Sequence, residues 1–178
     1  MEIKTNRLLL RDHVKTDWKD IHEYASIPEF SQYDIWGPNS EDDSKNFVQS
    51  CIESSLTKNR FKYDLAVFHR REKRVIGGIG IRRSSESSLI SDLGYAINPN
   101  FQGKGLATEA VLAMFDFAFN QLNLALIYAT CDCRNIASYR VMEKVGMIKV
   151  GQILKHREIK GHWRDSYRYE VLSPKYSK

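Results

Sequence analysis

The sequence predicts an α/β fold of the α+β kind, a mostly antiparallel sheet with helices packed against it. Three observations carry the prediction. Apolar residues recur with period two between Tyr63 and Ile97, with polar breaks at 70–74 and 84–88, which reads as three strands joined by hairpins. From Ala107 to Leu122 they recur at i, i+3, i+4 and i+7, the stripe of an amphipathic helix. Neither an internal repeat nor a linker interrupts the 178 residues, so one domain over 1–178 is expected.

In chain order, Arg7-Leu8-Leu9-Leu10-Arg11 is a short apolar run between charges and reads as a strand. Thr16 and Asp17 offer an N-cap to a helix reaching Ala25. Ser40 with Asp43 three residues on is a capping signal ahead of Phe47, Val48, Cys51, Ile52 and Leu56, so a second helix is expected over 41–57. Strands follow at 65–68, 75–81 and 89–97. Asn98-Pro99-Asn100 ends the last of them, because proline lacks the ladder donor and restricts the residue before it. After the helix of 107–122 come a buried strand at 124–131, a short helix at 135–145 and a strand pair at 147–157 and 167–172.

Hydrophobic residues at 42% and charged residues at 28% match a globular domain that buries its own core. The longest apolar stretches, 110–115 and 124–129, fall far short of the roughly 18 residues of a spanning helix, so no membrane partner is expected. The N-terminus has no apolar secretory core, which points to the cytoplasm. Cys51, Cys131 and Cys133 lack the second pair or histidine spacing of a zinc site, so reduced thiols and no metal are expected. The net charge of +5 favours an anionic partner: nucleic acid, a phosphorylated cofactor or an acidic protein. No helix-turn-helix, RNA-recognition or zinc-finger signature is present, which makes nucleic acid the least favoured of these.

The most informative stretch runs from Asn98 to Glu109, between a strand and the strongest helix. Gly103 and Gly105 let the backbone turn its N–H groups outward, and the helix start adds unpaired donors and the positive end of its dipole. An anion site follows, although two glycines alone also make a tight strand-to-helix turn. It is not a Walker loop, because Gly105 stands where a hydroxyl residue must follow Lys104, and not a dinucleotide fingerprint, because Thr108 stands where the third glycine must be.

Gln102, Gly105 and Ala107 form a Q-x-x-G-x-A pattern that resembles the pyrophosphate loop of the GNAT superfamily of acyl-CoA N-acyltransferases. Three further segments are similar to the same family: Asp92 to Ile97 before Asn98-Pro99, Asn135 to Ser138 with Glu143 to Met147, and Thr5 to Arg11. The last resembles the T-x-R-L-x-L-R opening of the RimJ/RimL-type branch. The resemblance implies a mixed, twisted sheet with helices on both faces, whose fourth and fifth strands splay around the cofactor, acetyl-CoA. It implies that the backbone of Tyr95, Ala96 and Ile97 pairs with the pantetheine amides. By the same resemblance Gln102, Gly103, Lys104, Gly105, Leu106, Ala107 and Thr108 hold the pyrophosphate, and Asn135 meets the pantetheine arm.

Amide formation from a thioester requires a neutral amine, a stabilised oxyanion and a proton for the departing thiolate. Many family members place a tyrosine acid seven residues after the asparagine; here that position is Met142. The resemblance then points to Ser138 beside the sulfur, with Tyr139 turned about 100° away around the helix. For the base, Asp92 matches the acid of the pantetheine strand and, being one methylene shorter than glutamate, is expected to act through a water. Glu158 is the rival, one residue out of register, and a one-residue slip reverses the face of a strand. The acceptor wall is expected from the link at 30–38, with Tyr33 and Trp36. Function is thus expected to be acetyl transfer to a primary amine, of a protein N-terminus such as a ribosomal protein's or of a small molecule, with a homodimer left open. An acetyl-CoA sensor without turnover and a nucleic-acid-binding module are the alternatives.

Overall fold

Along the chain β1 (Glu2–Lys4) and β2 (Leu8–Arg11) precede α1 (Trp18–Ala25) and α2 (Glu41–Ser55). Then come β3 (Lys62–His69), β4 (Arg74–Arg83), β5 (Ile90–Ile97), α3 (Leu106–Asn120), β6 (Leu126–Asp132), α4 (Ile136–Lys144), β7 (Ile148–Ile159) and β8 (His162–Leu172). The computed structural model describes residues 1–175, so the last three positions of the expected 1–178 domain lie outside the described residues.

The eight strands form one sheet in the order β1-β2-β3-β4-β5-β6-β8-β7. Every neighbouring pair is antiparallel except β5 and β6, which run parallel. That pair is short: Ile90 lies opposite Leu126, Ser91 opposite Ile127 and Asp92 opposite Tyr128, and there the pairing stops. Beyond Asp92 the two strands separate and leave a gap in the middle of the sheet. These are the fourth and fifth strands of the sequence reading, displaced by one in number because β1 was not expected.

Side chains alternate across a strand, and the register sorts them into two faces. One face carries Leu65, Val67, Ile79, Ile81, Leu93, Ile127 and Ala129, all buried with Met114, Ala118 and Met142 of α3 and α4 in the main core. The opposite face carries Ala66, Phe68 and Val75, covered by Ile21, Tyr24 and Val48 of α1 and α2. Helices therefore lie on both faces, with the gap between them. Truncating one of the buried leucines, isoleucines or methionines among these to alanine is expected to cost about 2–5 kcal/mol.

Local chemistry sets the element ends. Ser40 caps α2 as the sequence predicts: its Oγ accepts the Asp43 N–H at 3.1 Å, and Asp43 accepts the Ser40 N–H at 2.9 Å. Asp17 precedes α1 without capping it, because its carboxylate faces backward to the Arg11 guanidinium and the Val14 N–H. The expected strand at 124–131 begins only at Leu126, since the Leu124 N–H closes the end of α3 on the Ala118 carbonyl at 3.0 Å. The final pair is longer than expected and closes tightly at Lys160-Gly161. Both residues have positive φ, 50° and 78°, as a two-residue type I′ hairpin requires.

Candidate active site

The gap is lined on one side by an open strand edge. The Asn98 N–H donates to the Ile76 carbonyl at 2.8 Å, which fixes the alternation of the antiparallel β4–β5 ladder. Ala96 and Gly94 therefore give their backbone groups to β4, while Leu93, Tyr95 and Ile97 turn theirs toward the gap. Of the three residues expected to pair with pantetheine, Tyr95 turns its N–H and carbonyl to the gap and Ile97 its N–H, while Ala96 gives its backbone to β4. The Ile97 carbonyl is taken by Gln102 Nε2 at 2.9 Å, so Gln102 locks the strand end rather than reaching outward.

At the end of this edge, a 3-10 turn over Pro99–Phe101 leads into the glycine loop. Gly103 and Gly105 have φ of 73° and 74°, a left-handed conformation that side chains resist. Gly105 caps α3 with no side-chain hydrogen bond, which leaves the first amides of the helix, those of Leu106, Ala107 and Thr108, without intrahelical partners. Lys104 folds its Nζ back onto the Asn100 carbonyl at 2.9 Å and over the Phe101 ring. Sequence reasoning missed what holds the loop still. Glu109 accepts from Thr5 Oγ1 at 2.6 Å, from the Arg7 N–H at 2.8 Å and from Arg7 Nε at 2.6 Å. Arg7 Nη1 also donates to the Lys104 carbonyl at 2.9 Å. Burial would raise the Glu109 pKa, but these donors hold it below the usual carboxylate range.

Ser138 and Asp92 meet the gap from opposite faces. Ser138 is in the first turn of α4, and its N–H is capped by the Asn135 carboxamide oxygen at 3.1 Å; Asn135 thereby spends its oxygen on the helix. Tyr95 reaches across from β5, donating its hydroxyl to the Ser138 carbonyl at 2.7 Å, with the Ser138 Oγ at 3.3 Å. Burial pushes the Tyr95 phenol well above its ordinary value, so it stays protonated. Cys131 of β6 is also beside Ser138, its thiol pushed up to about 11 mainly by burial. Met142, at the family's tyrosine position, is buried in the main core.

Asp92 points to the face of α1 and α2, in the same row as Arg82 and Tyr128. Arg82 Nη1 is 3.8 Å from its carboxylate. Burial raises the Asp92 pKa, opposed by Arg82, Arg157 and Arg168. Gly78, Gly80 and Gly94 share this face, and the Arg82–Asp64 ion pair lies over Gly80 and Gly94. Glu158 sits between Arg157 and buried Ile159 on β7 and is exposed. Arg157 belongs to the Asp92 face, so Glu158 points away from it, as its register predicts.

The link between α1 and α2 is tied to the β7–β8 hairpin. Lys160 of the hairpin turn donates to the Ser31 carbonyl at 3.1 Å, pinning the link to β7–β8. Tyr33 lies under the Arg134 guanidinium, 5.5 Å from its ring centre, and Trp36 leans on Phe30 at 5.8 Å with its own surface exposed. Asp34 between them was not anticipated: burial raises its pKa, with Arg157 and Lys160 opposing. Among the described residues no group of three or more His, Cys, Asp or Glu side chains is placed to hold a metal, and no helix is long and apolar enough to cross a membrane.

A mixed sheet opened between two parallel strands, with a glycine loop and helix start at the mouth of the opening, defines an acyl-CoA-type transferase site. Residues 7–148 match the model of the GNAT acetyltransferase domain, and the chain belongs to that family. It is 35% identical over 177 residues to the uncharacterized N-acetyltransferase YnaD of Bacillus subtilis, covering 99% of this chain and 100% of the relative. A GNAT-family acetyltransferase from Bacillus anthracis superposes with a TM-score of 0.86 at 32% identity, covering 97% of this chain and 99% of the other. The ribosomal-protein-S5-alanine acetyltransferase of Vibrio fischeri shares the fold over the full length of both chains, with a TM-score of 0.84 at 20% identity.

Proposed function

We propose that the protein moves an acetyl group from acetyl-CoA to a primary amine by direct attack within a ternary complex. The observation that carries this reading is the β5–β6 gap, reached by Ser138 from one face and by Asp92 from the other. Acetyl-CoA, when bound, supplies an acyl group activated as a thioester. The open backbone of Tyr95 and the Ile97 N–H hold the pantetheine arm as an added strand would. The glycine loop and the first amides of α3 hold the pyrophosphate, clamped in place through Glu109. Ser138 donates a hydrogen bond to the departing thiolate sulfur, which leaves as the CoA thiol once it takes up a proton from solvent. Asp92, its carboxyl raised toward the working pH, takes the amine proton through a water. Tyr33 and Trp36 wall the acceptor, whose amine belongs to a protein N-terminus, as in the RimJ/RimL branch, or to a small molecule. We place the protein in the cytoplasm, where reducing conditions keep Cys51, Cys131 and Cys133 as free thiols.

Thermal melting tests the reading directly. Saturating CoA raises the melting temperature, since a ligand of the folded state alone stabilises it by mass action. Gly105→Asp abolishes the rise, because a carboxylate at a left-handed position strains the turn and repels phosphate. A wild-type protein that melts identically with and without millimolar CoA sinks the assignment. A clear CoA rise with no turnover on any amine favours a sensor instead.

A further inference from the structure

The β7–β8 hairpin brings His156, Arg157, Arg164 and Arg168 to the acceptor side of the gap, and the acetyl transfer described above uses none of them. Arg157 and Arg164 are register partners. Two like charges directly opposite on a sheet repel. Their location follows from the register: Asp92 lies opposite Tyr128 and Tyr128 opposite Glu170, so Arg168, Ser166 and Arg164 of β8 share the Asp92 face. Since β6 ends with Asp132 opposite Ser166, Arg164 and its partner Arg157 lie just past the end of β6.

Among the described residues, none of the carboxylates nearby is joined to Arg157 or Arg164 by a hydrogen bond or close ion pair. Asp132 is bound two-pronged by Arg134, at 2.9 and 2.8 Å. Asp92 lies 3.8 Å from Arg82 Nη1, and Asp34, on which Arg157 and Lys160 act only at longer range, has no close ion pair among the described residues. Arg168 has its own partner in Glu170 at 2.7 Å and stacks over Tyr128. Among the described residues, Arg157 and Arg164 form no hydrogen bond or close ion pair through their side chains. Arg164 Nε and His156 Nδ1 are buried without any hydrogen-bond partner. Orphaned buried polar atoms call for a partner. A positive pair with a spare buried donor, at the end of the gap where the amine must enter, matches the forked geometry that guanidinium groups offer to oxyanions.

We propose that Arg157 and Arg164 bind an oxyanion, carboxylate or phosphate, carried by the acceptor itself, so that the substrate is an anionic amine such as an amino acid or an aminoalkyl phosphate. A polyamine is disfavoured by the same pair, which repels its second ammonium. The inference rests on the acetyl-transfer reading and names the substrate class of that site.

Matched amines that differ in the anion alone test it: lysine against cadaverine, phenylalanine against phenethylamine, and O-phosphoethanolamine against ethanolamine. Melting temperatures of the full chain are read with each amine, in the presence and in the absence of saturating CoA. The anion-bearing member of at least one pair gives a further rise that its twin without the anion lacks; the first two pairs report carboxylate and the third phosphate. In steady state that member is acetylated with kcat/KM about ten-fold or more above its twin. Arg164→Gln and, separately, the exposed-site variant Arg157→Gln raise its KM about ten-fold while the twin's KM and the CoA-induced rise stay as in wild type. Equal rises within every pair, no amine-dependent rise at all, or an anion preference untouched by both variants each overturn the proposal. Loss of the CoA rise itself sinks the acetyl-CoA reading, and the melts without CoA still decide the anion site.

Discussion

At the scale of single residues, the proposed reaction divides its two jobs between the two faces of one sheet. Ser138 faces the α3–α4 side and is held by its cap to Asn135 and by the Tyr95 hydroxyl. The Tyr95 hydrogen is committed to the Ser138 carbonyl, and burial keeps the phenol protonated, so Tyr95 positions the serine and does not itself give up a proton. Ser138→Ala is expected to lower kcat on the order of 10²-fold with CoA affinity nearly intact. Tyr95→Phe is expected to lower kcat about ten-fold, and the double variant to be no worse than Ser138→Ala alone, since the two groups act as a unit. Steady-state rates with CoA affinities measured in parallel check this, and strictly additive losses would show that Tyr95 acts elsewhere. Across the sheet, Asp92 must be ionised to accept a proton, and burial raises its pKa, so the rate should climb with pH through that raised value. Asp92→Asn is expected to lower kcat and flatten the acid limb of the pH profile, while Glu158→Gln keeps both. An inactive Glu158→Gln beside a near-normal Asp92→Asn would reverse the assignment.

At the scale of elements, the opening Thr5 to Arg11 segment and the glycine loop are one device. Their connection was invisible in the sequence because Arg7 and Glu109 stand 102 residues apart, and only the antiparallel placing of β2 beside β3, with α3 packed against the same face, brings them together. The motif itself was legible as a family resemblance; its work as a clamp on the loop was not. Arg7→Ala and Glu109→Gln are each expected to weaken CoA binding about ten-fold with kcat at saturation preserved, the pattern of lost uniform binding. Because both variants break one clamp, the double variant should bind CoA about as weakly as either single one. Calorimetric titration reads these affinities; wild-type affinity in Arg7→Ala would reduce the clamp to a packing detail. The β7–β8 hairpin shows the opposite limit of sequence reading. Polar residues from Lys155 to Arg164 hide the alternation, and the extra residues between Ile153 and Arg157 break it outright, so the turn at Lys160-Gly161 is not legible in the sequence, where Lys155, Arg157, Lys160 and Arg164 read only as a charge run on a solvated face.

For the whole molecule, the order of elements was legible because each carries a local signal: period two between Tyr63 and Ile97, the α3 stripe, the Ser40–Asp43 cap. Which face a side chain meets is harder to read, because it depends on register across strands distant in sequence; this is why the resemblance puts the Ala96 backbone against pantetheine although the ladder gives it to β4. Long-range charge placement was likewise out of reach, and Asp17 is the clearest case, expected to cap α1 but built instead into the junction of β2 and α1. Burial alone would raise its pKa, yet both Arg11 terminal nitrogens at 2.8 Å and the Val14 N–H at 2.9 Å, with buried His13 at 3.6 Å, hold it far below the usual carboxylate value. In the unfolded chain Asp17 titrates near its ordinary value, about 3.9. The native state therefore binds fewer protons than the unfolded one as the pH falls past that value, and the stability this carboxylate contributes is full at neutral pH and lost below about pH 4. Asp17→Asn removes the charge but leaves Arg11 in place, and is expected to cost about 3 kcal/mol at pH 7. It should also make stability less dependent on pH between about 4 and 2, since the native proton linkage is gone. Urea unfolding of both proteins at pH 7 and pH 3 checks the two effects together. Equal losses on acidification in wild type and variant would mean that other carboxylates, and not this junction, set the acid limit of the fold.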